Sequence, residues 1–124
     1  MMDWSPYPNF RRDEFSCRCG CGQSEMRPQF MERLQDLREA YGKPMLVTSG
    51  YRCANHPAER VKAQPGTGTH SQGLAADIGV SGADAVSLLR LALDAGFTGI
   101  GIQQKGYGRF LHLDIREQPA IWSY

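Results

Sequence analysis

The sequence predicts a single α+β domain in which two main helices accompany a few short strands. At 124 residues the chain is long enough for one ordinary hydrophobic core and too short for two. Apolar residues recur at helical spacing in two separate stretches. Near the carboxyl end, two strand-like segments flank a glycine-containing turn, which is the pattern of an antiparallel hairpin.

The charge of the chain is nearly balanced, with 14 Lys and Arg residues against 13 Asp and Glu residues. We therefore expect neither nucleic acid nor an anionic membrane as the partner.

Residues 1–25 are expected to form an extended, cysteine-rich lead-in to one domain that spans residues 1–124. Trp4, Tyr7 and Phe10 lie among prolines in this segment. The prolines prevent regular structure, whereas the aromatic rings need a surface on which to be buried. We therefore expect the lead-in to pack on the core.

The cysteines have an unusual distribution, because three of them alternate with other residues and the fourth stands apart. They are Cys17, Cys19, Cys21 and Cys53. Four thiols could hold a structural zinc ion, but zinc motifs commonly space their ligands as Cys-x2-Cys, and the spacing Cys-x-Cys-x-Cys fits less well. The sequence therefore favours reduced thiols, or one disulfide formed after release to an oxidising space, over a second zinc site.

The first helix is predicted from Pro28 to Tyr41. Pro28 suits the first helical turn, where its missing N–H would have no partner. Apolar residues recur through the stretch at helical spacing, and Gly42 followed by Pro44 ends it. Residues 45–49 are apolar and β-branched and predict a short buried strand.

The segment from Cys53 to Thr69 has no periodicity and is predicted to be a loop of functional length. His56, in the middle of this loop, is expected to be exposed to solvent. We also expect the charged side chains of Glu59, Arg60 and Lys62 to be solvated.

The second helix is predicted to follow a strand over residues 76–80. Ser81 is its expected N-cap, with Asp84 at the third helical position, and Gly96 ends it. The face expected to be buried carries Val86, Leu89 and Leu93, supported by Leu88, Ala92 and Phe97.

The antiparallel hairpin is predicted to comprise strands over residues 97–103 and 109–116, joined by a turn over residues 104–108. The remaining residues, 117–124, include further apolar side chains. We expect this tail to pack against the domain as a cover.

Three side chains have the chemistry of a metal site. His70 and Asp77 stand seven residues apart, where the loop gives way to a strand, and His112 lies on the last strand. Strand alternation places His112 and Asp114 on one face of that strand, opposite the core-facing leucines. If the two strands are neighbours in one sheet, His70, Asp77 and His112 can converge on zinc, a ligand set that leaves a fourth position for water.

Arg52 lies just after the predicted strand at residues 45–49, a place where functional side chains are common. Its planar guanidinium could clamp a carboxylate of a substrate, which lysine would do less well. The alternative is that Arg52 only pairs locally with another side chain or covers apolar surface.

Four segments of the sequence resemble the M15 zinc D-Ala-D-Ala carboxypeptidases, and most closely their short phage and prophage members. The resemblance runs from about Met26 to Arg116. The metal centre of that family is similar to those of the sonic hedgehog amino-terminal domain and the lysostaphin-type peptidases. The segments are Ser49-Gly50-Tyr51-Arg52, His70-x2-Gly73-x-Ala75-x-Asp77-Ile78, Gly99-Ile100-Gly101 and Phe110-Leu111-His112-Leu113-Asp114-Ile115-Arg116.

The resemblance implies a small fold around a mostly antiparallel sheet, with one zinc ion held by His70, Asp77 and His112. It also implies cleavage in the stem peptide of bacterial peptidoglycan, at either the D-Ala-D-Ala or the L-Ala-D-Glu bond. Such an enzyme would act at the bacterial cell wall, released through a holin or carried in a virion. Arg52 would bind the carboxylate of the substrate or the oxyanion, and Tyr107 and Gln103 would contribute polar contacts.

The sequence also departs from the family pattern. Relatives usually have serine where this chain has Gly68 and often have histidine where it has Phe110. The acidic general base that several relatives carry just upstream of the last ligand is missing, because that region holds Gln103, Gln104 and Lys105.

Asp114 is the best local candidate to shuttle a proton, and its other possible role is to orient a ligand imidazole.

Because the usual general base is missing, two rival functions remain open. One is a zinc-retaining binding or structural protein without turnover, and the other is a zinc hydrolase that acts on a different small amide.

Overall fold

The computed structural model describes residues 2–124 and has the α+β architecture that the sequence predicts. Five strands form one sheet in the order β1-β2-β4-β3-β5, and every neighbouring pair is antiparallel except β3 with β5. A 3-10 turn over Arg12–Phe15 precedes the regular elements. These are α1 (Pro28–Tyr41), β1 (Leu46–Ser49), α2 (Pro57–Arg60), β2 (Ala75–Gly79), α3 (Gly82–Asp94), β3 (Gly99–Gln103), β4 (Phe110–Asp114) and β5 (Ala120–Ser123).

Helix α1 has the bounds predicted for it. Pro28 occupies its first turn, and Gly42 ends it in the left-handed conformation, at a φ of 70°, which glycine adopts without a steric penalty. The side chains of Phe30, Leu34 and Leu37 are completely buried in the hydrophobic core. The helical periodicity of the sequence therefore identified both the element and its buried face.

The buried face of α3 differs in part from the prediction, because the supporting residues Leu88 and Ala92 form its centre. Val86 and Leu93 are more than half exposed, whereas the buried residues are Ala85, Leu88 and Ala92. The helix has leucines on several sides, so its apolar pattern does not single out one face. Tertiary packing selects the face on which small alanines flank Leu88, because they allow close approach of α3 to its neighbours.

The segment between Cys53 and Thr69 is not entirely a loop as predicted, because it contains a short helix, α2. The imidazole Nδ1 of His56 caps it by accepting a hydrogen bond from the backbone N–H of Ala58 at 3.0 Å. The prediction that Glu59 is solvated is wrong, because its side chain is completely buried and pairs with Nζ of Lys62 at 2.7 Å. One helical turn places these two residues side by side.

The carboxyl-terminal tail is a strand rather than only a cover. β5 pairs in parallel with β3, in a register that places Trp122 opposite Gly101. Its alternating exposure follows from its position at the edge of the sheet.

At the other end of the chain, Tyr7, Phe10 and Phe15 are buried in the core. None of the helices between residues 2 and 124 is long and apolar enough to cross a membrane.

The strand register separates a core face from a polar face. Ile78, Ile100 and Leu111 are buried in the core on one side of the sheet. On the other side, Asp77 of β2 lies directly opposite His112 of β4. The condition on which the convergence of His70, Asp77 and His112 depends, that these two strands are neighbours, is therefore met.

A β-bulge in β1 extends this polar face. Val47 pairs with Ile78 and Ser49 pairs with Asp77, which leaves one extra residue between the two positions on β1. The bulge thus places Ser49 opposite Asp77, and the chain leaves the sheet toward Arg52 immediately afterwards.

Candidate metal centre

Three side-chain atoms from separate segments form a small triangle on the polar face of the sheet. The Nδ1 atom of His112 lies 3.2 Å from Nε2 of His70 and 3.1 Å from Oδ1 of Asp77. The third edge, from Nε2 of His70 to Oδ1 of Asp77, is 3.3 Å. The three residues are buried, with 3–6% of their surface exposed.

The donor set and its dimensions fit zinc. Zinc in proteins prefers tetrahedral coordination by imidazole nitrogen and carboxylate oxygen at about 2.0–2.2 Å, which places ligand atoms about 3.3 Å from one another. The three observed edges have this length. The residues could therefore hold a metal ion with little rearrangement.

Each imidazole is held so that one ring nitrogen faces the centre of the triangle, where its lone pair could bind a metal ion. The Nδ1 atom of His70 lies 2.8 Å from the backbone carbonyl oxygen of Gly50, which can only accept a hydrogen bond, so Nδ1 carries the hydrogen and Nε2 is left for a metal. On His112 the roles are reversed, because Nε2 donates to Oδ2 of Asp114 at 2.6 Å. Partners of this kind fix the tautomer and orientation of metal-binding histidines.

Asp114 lies behind His112 and is completely buried. Arg116 binds the same carboxylate, with Nη2 at 2.6 Å from Oδ2 and Nε at 3.0 Å from Oδ1. Burial by itself would raise the pKa of Asp114, but the hydrogen bonds from His112 and Arg116 lower it below its ordinary value. The carboxylate is therefore charged and faces the imidazole rather than solvent.

Asp77 is likewise held in its charged form. Burial raises its pKa, but hydrogen bonds and charge interactions with His112 and His70 outweigh burial and lower the pKa. Those hydrogen bonds come from protons on the imidazole nitrogens that face Asp77. A divalent cation would displace these protons and bind the nitrogen lone pairs beside the charged carboxylate.

Two glycines of β3 make room for this arrangement. Gly99 lies opposite Asp114, and a Cβ atom at that position would collide with the Asp114 carboxylate. A Cβ atom on Gly101 would lie 2.8 Å from the Trp122 ring and 2.9 Å from Cβ of His112. Glycine is therefore needed at both positions for the side chains of the centre to lie flat against β3.

Arg52 borders the metal centre and is 21% exposed. Its Nη2 lies 3.3 Å from Oδ2 of Asp77, the carboxylate oxygen that does not belong to the triangle, and its Nε donates to Oγ of Ser49 at 3.1 Å. The local pairing considered for Arg52 is thus present. The same contacts place a partly exposed guanidinium beside the candidate metal site.

The structure does not bring the other two predicted contact residues to the triangle. Tyr107 is fully exposed at the tip of the turn between β3 and β4. Gln103 is half-buried at the end of β3, where its side-chain oxygen accepts a hydrogen bond from the backbone N–H of Lys105 at 3.0 Å. Their assignment to substrate binding stays a prediction.

Three residues of the centre had no assigned role in the sequence analysis. Ser49 supports Arg52, and Arg116 supports Asp114. The indole of Trp122 packs on the imidazole of His112 at 4.9 Å between ring centroids and on the Arg116 guanidinium at 4.5 Å. The position of Arg116 two residues after Asp114 was a usable signal, whereas the contact of Trp122 depends on the pairing of β5 with β3.

Comparison with known proteins agrees with this geometry. A family model described as Peptidase M15 matches residues 8–114, a range that contains the three triangle residues, Arg52 and Asp114. A comparison with curated protein sequences finds no match. Because the family model covers most of the chain, membership supports peptidase activity. The chain belongs to the peptidase M15 family.

Proposed function

We propose that this chain is a zinc-dependent peptidase that hydrolyses an amide bond in the stem peptide of bacterial peptidoglycan. The reaction would be of the D-Ala-D-Ala carboxypeptidase or L-Ala-D-Glu endopeptidase type. The observation that carries the proposal is the triangle of His70, Asp77 and His112, with edges of 3.1–3.3 Å and both imidazoles oriented toward its centre. Family membership supplies the reaction class.

The three residues would bind zinc through Nε2 of His70, Oδ1 of Asp77 and Nδ1 of His112. Zinc in such a site supplies Lewis acidity and lowers the pKa of water to about 7. Three protein ligands leave one coordination position for chemistry, which distinguishes a catalytic from a structural site.

Arg52 is proposed to bind the substrate. Its guanidinium can donate to a peptide carboxylate or to the oxygen on which negative charge develops during attack on an amide carbonyl. The pairing with Asp77 and Ser49 holds the side chain at the edge of the metal centre, where part of it is exposed. A fixed donor costs less reorganisation during the reaction than a mobile one.

Asp114 is proposed to position His112 rather than to move protons to and from the substrate. Two roles were open for this residue, a proton shuttle and an orienting carboxylate. The complete burial of Asp114 and its hydrogen bonds to His112 and Arg116 favour the orienting role.

The proposed setting is the bacterial cell wall, and the resemblance to short phage and prophage enzymes supports a role in cell-wall lysis. Cytoplasmic synthesis followed by release through a holin, or transport in a virion, would bring the enzyme to that substrate. The proposed partner is the stem peptide, bound by a monomer.

The experiment that tests this proposal uses the zinc-loaded protein and synthetic stem pentapeptide or purified sacculi, with products identified by mass spectrometry. We expect a single amide bond to be cut. The product masses tell whether terminal D-Ala is released or the L-Ala-D-Glu bond is cleaved. The matched control is His70→Ala, which removes one ligand and should abolish cleavage. Protein that contains zinc at this site but leaves both substrates intact would contradict the proposal and support the non-catalytic alternative.

A further inference from the structure

A second group of potential metal ligands lies apart from the triangle. The sulfur atoms of four cysteines, three from the amino-terminal segment and one from the segment after β1, all lie within 4.8 Å of one another. None of the four is in a disulfide bond. The four are Cys17 and Cys53, which are buried, and Cys19 and Cys21, which are exposed.

The distances within the cluster fit a tetrahedral metal site. The sulfur of Cys53 lies 3.7 Å from that of Cys17 and 3.4 Å from that of Cys19. Zinc–sulfur bonds of about 2.3 Å in tetrahedral geometry place the sulfur atoms about 3.8 Å apart. Cys53 is thus nearly equidistant from two other cysteines, an arrangement that suits a shared metal ion better than one exclusive pair.

The backbone of the cluster donates hydrogen bonds to sulfur. The N–H of Cys53 donates to Sγ of Cys17 at 3.4 Å, and the N–H of Gln23 donates to Sγ of Cys21 at 3.5 Å. Donors of this kind stabilise negative charge on a thiolate, which is the form that binds metal.

The local fold removes the objection that the spacing Cys-x-Cys-x-Cys raises. Gly20 and Gly22 have φ values of 94° and 76°, which residues with side chains adopt only under strain. The chain therefore turns tightly around Cys21. This turn brings all three alternating cysteines to Cys53, which a straight strand would not do.

We propose that Cys17, Cys19, Cys21 and Cys53 bind a second zinc ion whose role is structural. Four thiolates complete the tetrahedral coordination of zinc and leave no position for water or substrate. This inference does not depend on the proposed peptidase activity, because the two sites share no residue.

The second zinc would connect the amino-terminal segment to the segment that carries Arg52. Cys53 follows Arg52 directly, and the backbone N–H of Tyr51 donates to the carbonyl of Phe15 at 2.9 Å. A Cβ atom on Gly50 would lie 2.6 Å from Cα of Phe15, so the two segments already pack backbone to backbone. A zinc ion at the cysteines would stabilise this junction, because metal bound only in the folded state adds its binding free energy to folding.

The test is metal content together with cobalt substitution in the reduced, full-length chain. We expect two zinc ions per chain in the wild type and one in His70→Ala. The double variant Cys19→Ser/Cys21→Ser, which changes only the two exposed cysteines, should also retain one. With Co²⁺ in place of zinc, we expect thiolate-to-cobalt charge-transfer absorption in the near ultraviolet for the wild type and for His70→Ala, and its loss in the cysteine variant.

The cobalt band separates this proposal from the peptidase proposal, since the triangle contains no sulfur and gives no such band. Failure of cleavage therefore leaves the cysteine proposal intact. The wild-type spectrum decides the matter even if the cysteine variant does not fold. Folded, reduced wild-type protein without the thiolate band, purified protein with iron rather than zinc at the cysteines, or a native disulfide mapped to Cys53 would each overturn the proposal.

Discussion

His112 and Asp114, two residues apart on β4, are joined by a hydrogen bond of 2.6 Å from Nε2 of the imidazole to Oδ2 of the carboxylate. The bond leaves Nδ1 of His112 as the nitrogen that faces His70 and Asp77. The ligand triangle thus depends on a residue that is not part of it.

Asp114→Asn tests this dependence. The amide is a weaker acceptor than the carboxylate and no longer balances the Arg116 guanidinium, so His112 should be held less firmly. We expect zinc affinity at the triangle to fall about 10–100-fold, measured by competition with a chelator. The matched control is Glu117→Gln, which removes an exposed carboxylate nearby on the chain. If the Asp114→Asn protein folds and binds zinc as tightly as the wild type, Asp114 does not position His112 for metal binding.

Arg52→Lys tests the proposed contact with the substrate. Lysine keeps the positive charge near Asp77 but loses the planar fork of donors. We expect kcat/KM for stem peptide to fall about 10–100-fold while zinc content is unchanged. The lysine ammonium would not reach the place from which Arg52 donates to the developing oxyanion of the substrate. Arg60→Lys on α2, where the side chain is exposed, serves as the control. Equal kcat/KM values for the wild type and Arg52→Lys would rule out a substrate contact by Arg52.

Gly101→Ala tests the close packing of β3 under the metal centre. The added methyl group would lie 2.8 Å from the Trp122 ring and 2.9 Å from Cβ of His112, so one of these side chains must move. We expect the free energy of unfolding to fall by about 1–3 kcal/mol, measured by denaturant titration. In the control Gly68→Ala the nearest atom to the methyl group is Nζ of Lys62 at 3.1 Å, followed by Oε1 of Glu59 at 3.8 Å, so the overlap and the loss of stability should be smaller. The two alanine variants would have similar stabilities if the packing at Gly101 were loose.

Lys62→Met tests the ion pair of the buried Glu59 with Lys62. Burial raises the pKa of Glu59, but the hydrogen bond and charge of Lys62 bring it below its ordinary value of 4.5. Without Lys62 the buried carboxylate has lost its cation. We expect a loss of about 1–3 kcal/mol of unfolding free energy at pH 7, relative to the exposed control Lys105→Met.

The pH dependence of this loss has a definite sign. Because the pKa of Glu59 is lower in the folded than in the unfolded state, the stabilisation is fully present above pH 4.5 and is lost as the pH falls through the folded-state pKa. The difference between Lys62→Met and the wild type should therefore narrow under acidic conditions. A difference that is independent of pH would show that Lys62 acts through packing alone.

The proximity of the three candidate metal ligands could be predicted because local rules determine most of their positions. Strand alternation places His112 and Asp114 on the face opposite Leu111 and Leu113, whatever the rest of the fold does. The pairing of Asp77 with His112 then needs only that β2 and β4 be neighbours. The same local rules identified α1 from its periodicity and its proline and glycine ends.

The features that the sequence did not reveal depend on contacts between distant segments. The face of α3 is selected by packing, since leucines lie on several of its sides. Glu59 has the charge of a surface residue, and only the fold encloses it. The contact of Trp122 with His112 requires β5 to pair with β3, and the cysteine cluster requires a turn that brings Cys21 to Cys53. Long-range proximity of this kind leaves no periodic signal in the chain.

The most direct test of the account is the location of zinc in crystals of the zinc-supplemented protein by anomalous diffraction at the zinc absorption edge. The account predicts a peak bonded to Nε2 of His70, Oδ1 of Asp77 and Nδ1 of His112, with Asp114 behind the second imidazole. Fully supplemented crystals with no anomalous peak among these three atoms would contradict it.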